Sequence, residues 1–158
     1  MRRFKPVHGL VIVLLVLGVA WGAEVALEAR LNASGFQRVN PVQGQVRIDL
    51  ADFKPQEVRF FRFLNSGNQE VRFFVGRDKT GAVQVAFDGD ETCAKYKRGF
   101  HQEQKEWMVC NKCGKAFHLA DVNSGGEGCS PVPVRHQLAG SQLVLAESDI
   151  LQGWRLFR

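Results

Sequence analysis

The chain has 158 residues, 45% of them hydrophobic, with twelve Phe, sixteen Gly, four Cys and a formal charge of +5. That apolar content excludes a disordered or low-complexity chain, and the length suits one domain, or one domain with a targeting segment, not two full cores. The four Cys are too few for a disulfide-dense miniprotein, yet enough for one complete tetrahedral metal site.

Met1 to Pro6 is a short basic head, and Val7 to Ala23 is a run of 17 residues without a charge. As a helix that run spans roughly 25 Å, the short end of what crosses a bilayer. Arg2, Arg3 and Lys5 precede it, while Glu24 and Glu28 follow it. The positive-inside tendency then leaves the N-terminus in the cytoplasm and the rest of the chain outside it. Residues 1–23 are therefore predicted to be an N-terminal transmembrane helix that stays as an anchor. Ala20 and Gly22 leave a cleaved signal segment as the alternative, and Arg2–Arg3 faintly resembles a twin-arginine export signal. Without the three basic head residues, 18 basic side chains face 16 acidic ones, a net +2. Nucleic-acid binding loses its main support, and no nucleic-acid partner is expected.

Residues 24–45 are predicted to be a helical extension of the anchor and a linker, from the spacing of Val25, Leu27 and Leu31 and from Gly35 and Pro41. From residue 46 to 158 the pattern is that of a small, mainly β, antiparallel domain with a Cys-rich metal-binding half. Val46, Ile48 and Leu50 alternate with Arg47 and Asp49. Val58–Leu64, a turn at Asn65–Asn68, Val71–Val75, a turn at Asp78–Gly81 and Val83–Phe87 continue what reads as a meander. Leu143–Leu145 and a short turn near Ser148–Leu151 close it. Phe60–Phe61 and Phe73–Phe74 place an aromatic ring on each face of their strands, which predicts a sheet covered by core on one face and by the Cys-bearing half on the other.

Cys93, Cys110, Cys113 and Cys129 are separated by 16, 2 and 15 residues. In Val109–Cys110–Asn111–Lys112–Cys113–Gly114–Lys115, two thiolates can bind one ion from a tight turn, and Gly114 supplies the positive φ that the turn needs. One further Cys on either side, each in turn-forming sequence, points to a four-thiolate site. Two disulfides remain open for an exported chain. A thioredoxin-type pair lacks its βαβ surroundings, and inert core thiols fit the glycine-rich setting poorly. His101 and His118 are candidate ligands or hydrogen-bond partners, and His136 falls in a loop. Lys95, Lys97, Arg98, Lys105, Lys112 and Lys115 cluster around the cysteines, where they would offset a thiolate-bound charge and steer an acidic redox partner. Four thiolates suit iron, an iron–sulfur cluster or zinc equally. No nucleophile–base or paired-carboxylate constellation is seen, so no enzyme is expected.

Phe73–Phe74–Val75, Gly81, Val85–Ala86–Phe87–Asp88, Val109 to Phe117 and Gly128–Cys129–Ser130–Pro131–Val132–Pro133 resemble the FtrD-like membrane iron–sulfur proteins. That family is named after the ferredoxin-like component of a bacterial ferrous-iron uptake system. The resemblance runs from about Val46 to the C-terminus. It implies a single-pass protein of the bacterial inner membrane whose C-terminal domain lies in the periplasm. It implies that Cys93, Cys110, Cys113 and Cys129 hold iron or an iron–sulfur cluster for electron transfer, with an inner-membrane iron permease and periplasmic copper-containing redox proteins as partners. The family pattern carries one more Cys, and Asp90 stands in its place here. Either four thiolates suffice, or Asp90 is an oxygen ligand, or the original centre is lost; the first is expected. The alternative function, from another class, is a zinc- or disulfide-stabilised scaffold domain of a membrane complex.

Overall fold

Strands β3 (Val58–Leu64) and β4 (Glu70–Arg77) form a hairpin in which Phe60 faces Phe74 and Phe61 faces Phe73 across the ladder. The chain reverses at Asn65, whose side-chain Oδ1 accepts the Gln69 N–H at 2.8 Å. The computed structural model describes residues 35–158 together with Val16, Gly18, Val19 and Gly22, which are helical. The anchor expected over 1–23 lies almost wholly outside the described residues, as does the helix expected from Glu24. Among the described residues no helix is long and apolar enough to cross a membrane. The chain divides into a unit Met1–Phe36 and a unit Gln37–Arg158, and the second carries the sheets below apart from Phe36.

β5 (Val83–Phe87) adds to β4 after a turn in which buried Asp78 accepts from the N–H groups of Thr80 and Ala82. β1 (Phe36–Val39) adds on the far side, giving the order β1-β3-β4-β5. The linker expected at those positions is thus a strand in part. A four-residue segment with two polar side chains carries too little periodicity to be seen in isolation.

β2 (Gln45–Asp49) does not belong to this meander, contrary to the sequence pattern. It pairs with β10 (Gln142–Ala146), setting Ile48 against Leu143 and Val46 against Leu145, and β10 pairs in turn with β9 (Gln137–Ala139). One face of the central sheet meets this second sheet in a core of Phe61, Phe63, Val71, Phe73, Val85 and Leu145, and the short helix Glu147–Leu151 closes it with Ile150.

The other face of the central sheet is covered as well. β6 (Phe100–Glu103), β7 (Trp107–Cys110) and β8 (Ala116–His118) form a third antiparallel sheet, absent from the sequence reading. It packs Phe100, Met108 and Cys110 onto Phe74 and Ala86, with Phe60 at the margin. Phe74 stands 5.8 Å from Phe60 and 6.4 Å from Phe100, and Phe100 stands 6.3 Å from Phe117. An aromatic chain therefore leads from the central sheet to the cysteine hairpin. The paired phenylalanines divide between two cores because adjacent strand residues point to opposite faces.

Two polar contacts seat the third layer. Asn123 lies along β5 like a strand neighbour, with Oδ1 accepting the Val85 N–H at 2.9 Å and Nδ2 donating to the Val83 carbonyl at 2.8 Å. Asp88, at the end of β5, accepts the Phe100 N–H at 2.6 Å and so ties β6 to the central sheet. A Cβ at Gly99, where φ is +63°, would run into the Asp88 carboxylate.

Burial pushes the Asp88 carboxyl up to about 6, against the Phe100 N–H and the Arg72 guanidinium, which favour the charged form. A carboxyl raised in this way stabilises the fold below its unfolded value near 4, and that contribution is lost as pH rises through about 6. Relative to the native chain, D88N is thus expected to gain thermal stability steadily from about pH 4 to about pH 6.5. A difference in melting temperature that stays flat across that window would show that Asp88 is not the titrating group.

Candidate metal centre

Each cysteine reaches the site on a separately anchored piece of chain. Cys93 follows β5 by way of Asp90, whose Oδ1 accepts the N–H groups of Thr92 at 2.8 Å and Cys93 at 2.6 Å. Cys110 ends β7, donates its N–H to the Lys115 carbonyl at 3.0 Å and accepts the Gly114 N–H at 2.9 Å. That closes the tight turn carrying Cys113, and Gly114 has the positive φ expected of it, at 72°. Cys129 leaves a glycine-rich loop and is followed by Val132–Val134, which bonds to β5 through Phe87 N–H to Val132 O at 2.8 Å and Val134 N–H to Val85 O at 3.0 Å. Two cysteines are thereby held from the edge of the central sheet and two from the β7–β8 hairpin.

The four sulfurs all lie within 4.8 Å of one another, and those of Cys113 and Cys129 are 3.1 Å apart. All four are free thiols. A tetrahedral ion with metal–sulfur bonds of about 2.3 Å needs thiolates about 3.8 Å apart, and the observed spacings bracket that edge. The donor set and its geometry fit a thiolate-bound metal.

Cys93, Cys110 and Cys129 are buried, and Cys113 is exposed. Burial pushes the Cys93 and Cys129 thiols up. Cys113 goes the other way, to about 7, because it accepts a hydrogen bond from Cys129 and a backbone N–H bond from Lys115. The exposed sulfur ionises more readily than the buried thiols of Cys93 and Cys129, and a cation entering from solvent meets it first. Around it the Nζ atoms of Lys112 and Lys95 lie 4.2 Å and 5.2 Å from the ring centre of exposed Tyr96, and that of Lys115 lies 4.9 Å from the Phe117 ring. This gives the site a basic, partly aromatic rim.

The other candidates stand apart from the sulfur cluster. Asp90 is buried 2% exposed, but its Oδ1 is engaged with the turn that orients Cys93, and it is not among the gathered donor atoms. His101 Nδ1 is 2.6 Å from Asn111 Oδ1, and its Nε2 is 3.8 Å from Glu103. His118 Nδ1 accepts the Ala120 N–H at 3.3 Å, and its Nε2 is 3.7 Å from Glu106. Neither ring is in the cluster.

Sequence reasoning passed over Asn111 and Asp88. Asn111 donates its N–H to the Gly99 carbonyl at 3.0 Å and its Nδ2 to the Arg98 carbonyl at 2.9 Å, locking the hairpin turn to the start of β6. Its place inside Cys-x-x-Cys was the available signal, since an amide there can bond to backbone on both sides of the turn.

The family model described as membrane iron–sulfur containing protein FtrD-like matches residues 53–157. Comparisons with curated proteins and with solved structures give no match. The matched span holds all four cysteines and well over half of the chain, so the protein belongs to the FtrD-like family of membrane iron–sulfur containing proteins.

Proposed function

We propose that this is a membrane-tethered electron-transfer protein whose C-terminal domain faces the periplasm and whose four cysteines hold iron in thiolate coordination. The observation that carries the reading is the gathering of four thiols with one sulfur at the surface. Bound iron would supply one-electron redox chemistry there. The chain's own residues do the rest. Cys93, Cys110 and Cys129 keep their side of the centre away from water. The Lys115 N–H directed at Cys113 stabilises negative charge on that sulfur, and such bonds adjust a thiolate centre's potential. Cys113 offers the short path to a partner, and Lys95, Lys112 and Lys115 around it favour an acidic one.

In this reading the protein is not an enzyme. It passes electrons beside an inner-membrane iron permease and copper-containing periplasmic proteins, the partners that the family resemblance implies. It is inserted once in the inner membrane through residues 1–23. Anaerobic purification of the full chain, followed by a visible spectrum and metal analysis, tests the reading. Iron with a charge-transfer colour that bleaches on reduction and returns on oxidation is expected. A colourless protein loaded with zinc would overturn electron transfer and leave a folding staple.

A further inference from the structure

The family's description implies iron bound with inorganic sulfide, and the sulfur positions in this chain do not suit such a cluster. We infer that the centre takes a single tetrahedral ion held by Cys93, Cys110, Cys113 and Cys129, with no bridging sulfide. The inference rests on the thiolate–metal reading above and narrows it.

The separations decide the matter. In a cluster of two or four irons the thiolates are shared among different metal atoms. Sulfurs on different irons then stand about 5.5 to 6.5 Å apart, because two metal–sulfur bonds and a bridged iron pair lie between them. Here no pair exceeds 4.8 Å. The Cys113–Cys129 pair is at 3.1 Å, below even the edge of about 3.8 Å expected around one ion. A single ion therefore asks for sulfur shifts of well under 1 Å. A cluster would require the four pieces of chain to move outward together.

Those pieces have little freedom to do so. Cys110 belongs to β7, paired to β6 through Phe100. Cys93 is fixed by the Asp90 turn, and Cys129 is followed within a few residues by chain bonded to β5. The buried space beside the three inner thiols is filled by Phe74, Phe100, Met108 and Leu119. Opening the site would unpack that core.

The test uses the full chain in detergent, purified anaerobically. Metal and acid-labile sulfide are measured, and the metal-stripped, reduced chain is titrated with Co²⁺. One metal ion per chain without sulfide is expected, with tetrahedral thiolate–cobalt bands that saturate at a single equivalent. Two or more irons with matching sulfide, or cobalt bands still rising past one equivalent, would overturn the single-ion site. Zinc at one per chain would support it while sinking the electron-transfer function, so the two failures are distinguishable. A chain with four reduced thiols that binds neither metal would overturn both.

Discussion

Cys129→Ser is expected to abolish metal retention and to remove most of the metal's contribution to folding. The Cys129 thiol is 7% exposed and packs with Cys93, Cys110, Phe74 and Met108, so a serine hydroxyl there can neither replace the soft ligand nor be hydrated by bulk water. Apparent binding free energies for structural four-ligand sites are on the order of 10 kcal/mol, and they become folding free energy when the site exists only in the folded chain. The expected result is a metal-free protein whose β6–β8 layer has lost its ordered packing. Cys113→Ser is the informative comparison. Its side chain is exposed, so water can complete the shell, and weakened but measurable binding is expected. Metal content after dialysis against a chelator, with near-ultraviolet circular dichroism, separates the two. Full metal in Cys129→Ser would remove Cys129 from the site.

Phe74→Ala should cost about 3–5 kcal/mol, the range for deleting a fully buried aromatic ring, and should also speed metal loss. Phe74 has no exposed surface and supports Phe100, which in turn supports Phe117 behind the hairpin. Phe73→Ala provides the control. It deletes an equally buried ring, stacked on Phe61 at 5.5 Å, from the opposite face of the same strand. Both variants should lower the denaturant midpoint by similar amounts. Only Phe74→Ala should accelerate transfer of the metal to a chromophoric chelator under native conditions. Equal acceleration by both would mean that metal leaves only through global unfolding.

The contrast between those neighbours was legible from the paired phenylalanines, and so were β3, β4, β5 and their turns. Alternation over five to eight residues, bounded by Asn65–Asn68 and Asp78–Gly81, is a local signal. The Gly114 turn and the convergence of the cysteines were readable because the ligand geometry restricts the sequence strongly. The partner of β2 was not readable, since Ile48 meets Leu143 at the other end of the chain and nothing local records it. β6 to β8 were missed for a different reason. They are three or four residues long, flanked by charges, and ordered by docking onto Phe74 and Ala86 more than by their own periodicity. Asp90 resembles a ligand in sequence because a carboxylate serves both as metal donor and as turn former, and only its bonds to Thr92 and Cys93 show the latter use.

The attachment of two cysteines to the central sheet and two to the β7–β8 hairpin has a consequence for the order of events. In an unfolded chain Cys93 and Cys129 are separated by dozens of residues, and closing so long a loop around an ion carries a large entropic cost. Once β5 has gathered both ends, most of that loop entropy has already been surrendered to strand pairing. What remains is for the hairpin to settle against Phe74. Ion capture then belongs to that same docking step, a latch that closes as the hairpin takes its place on the sheet.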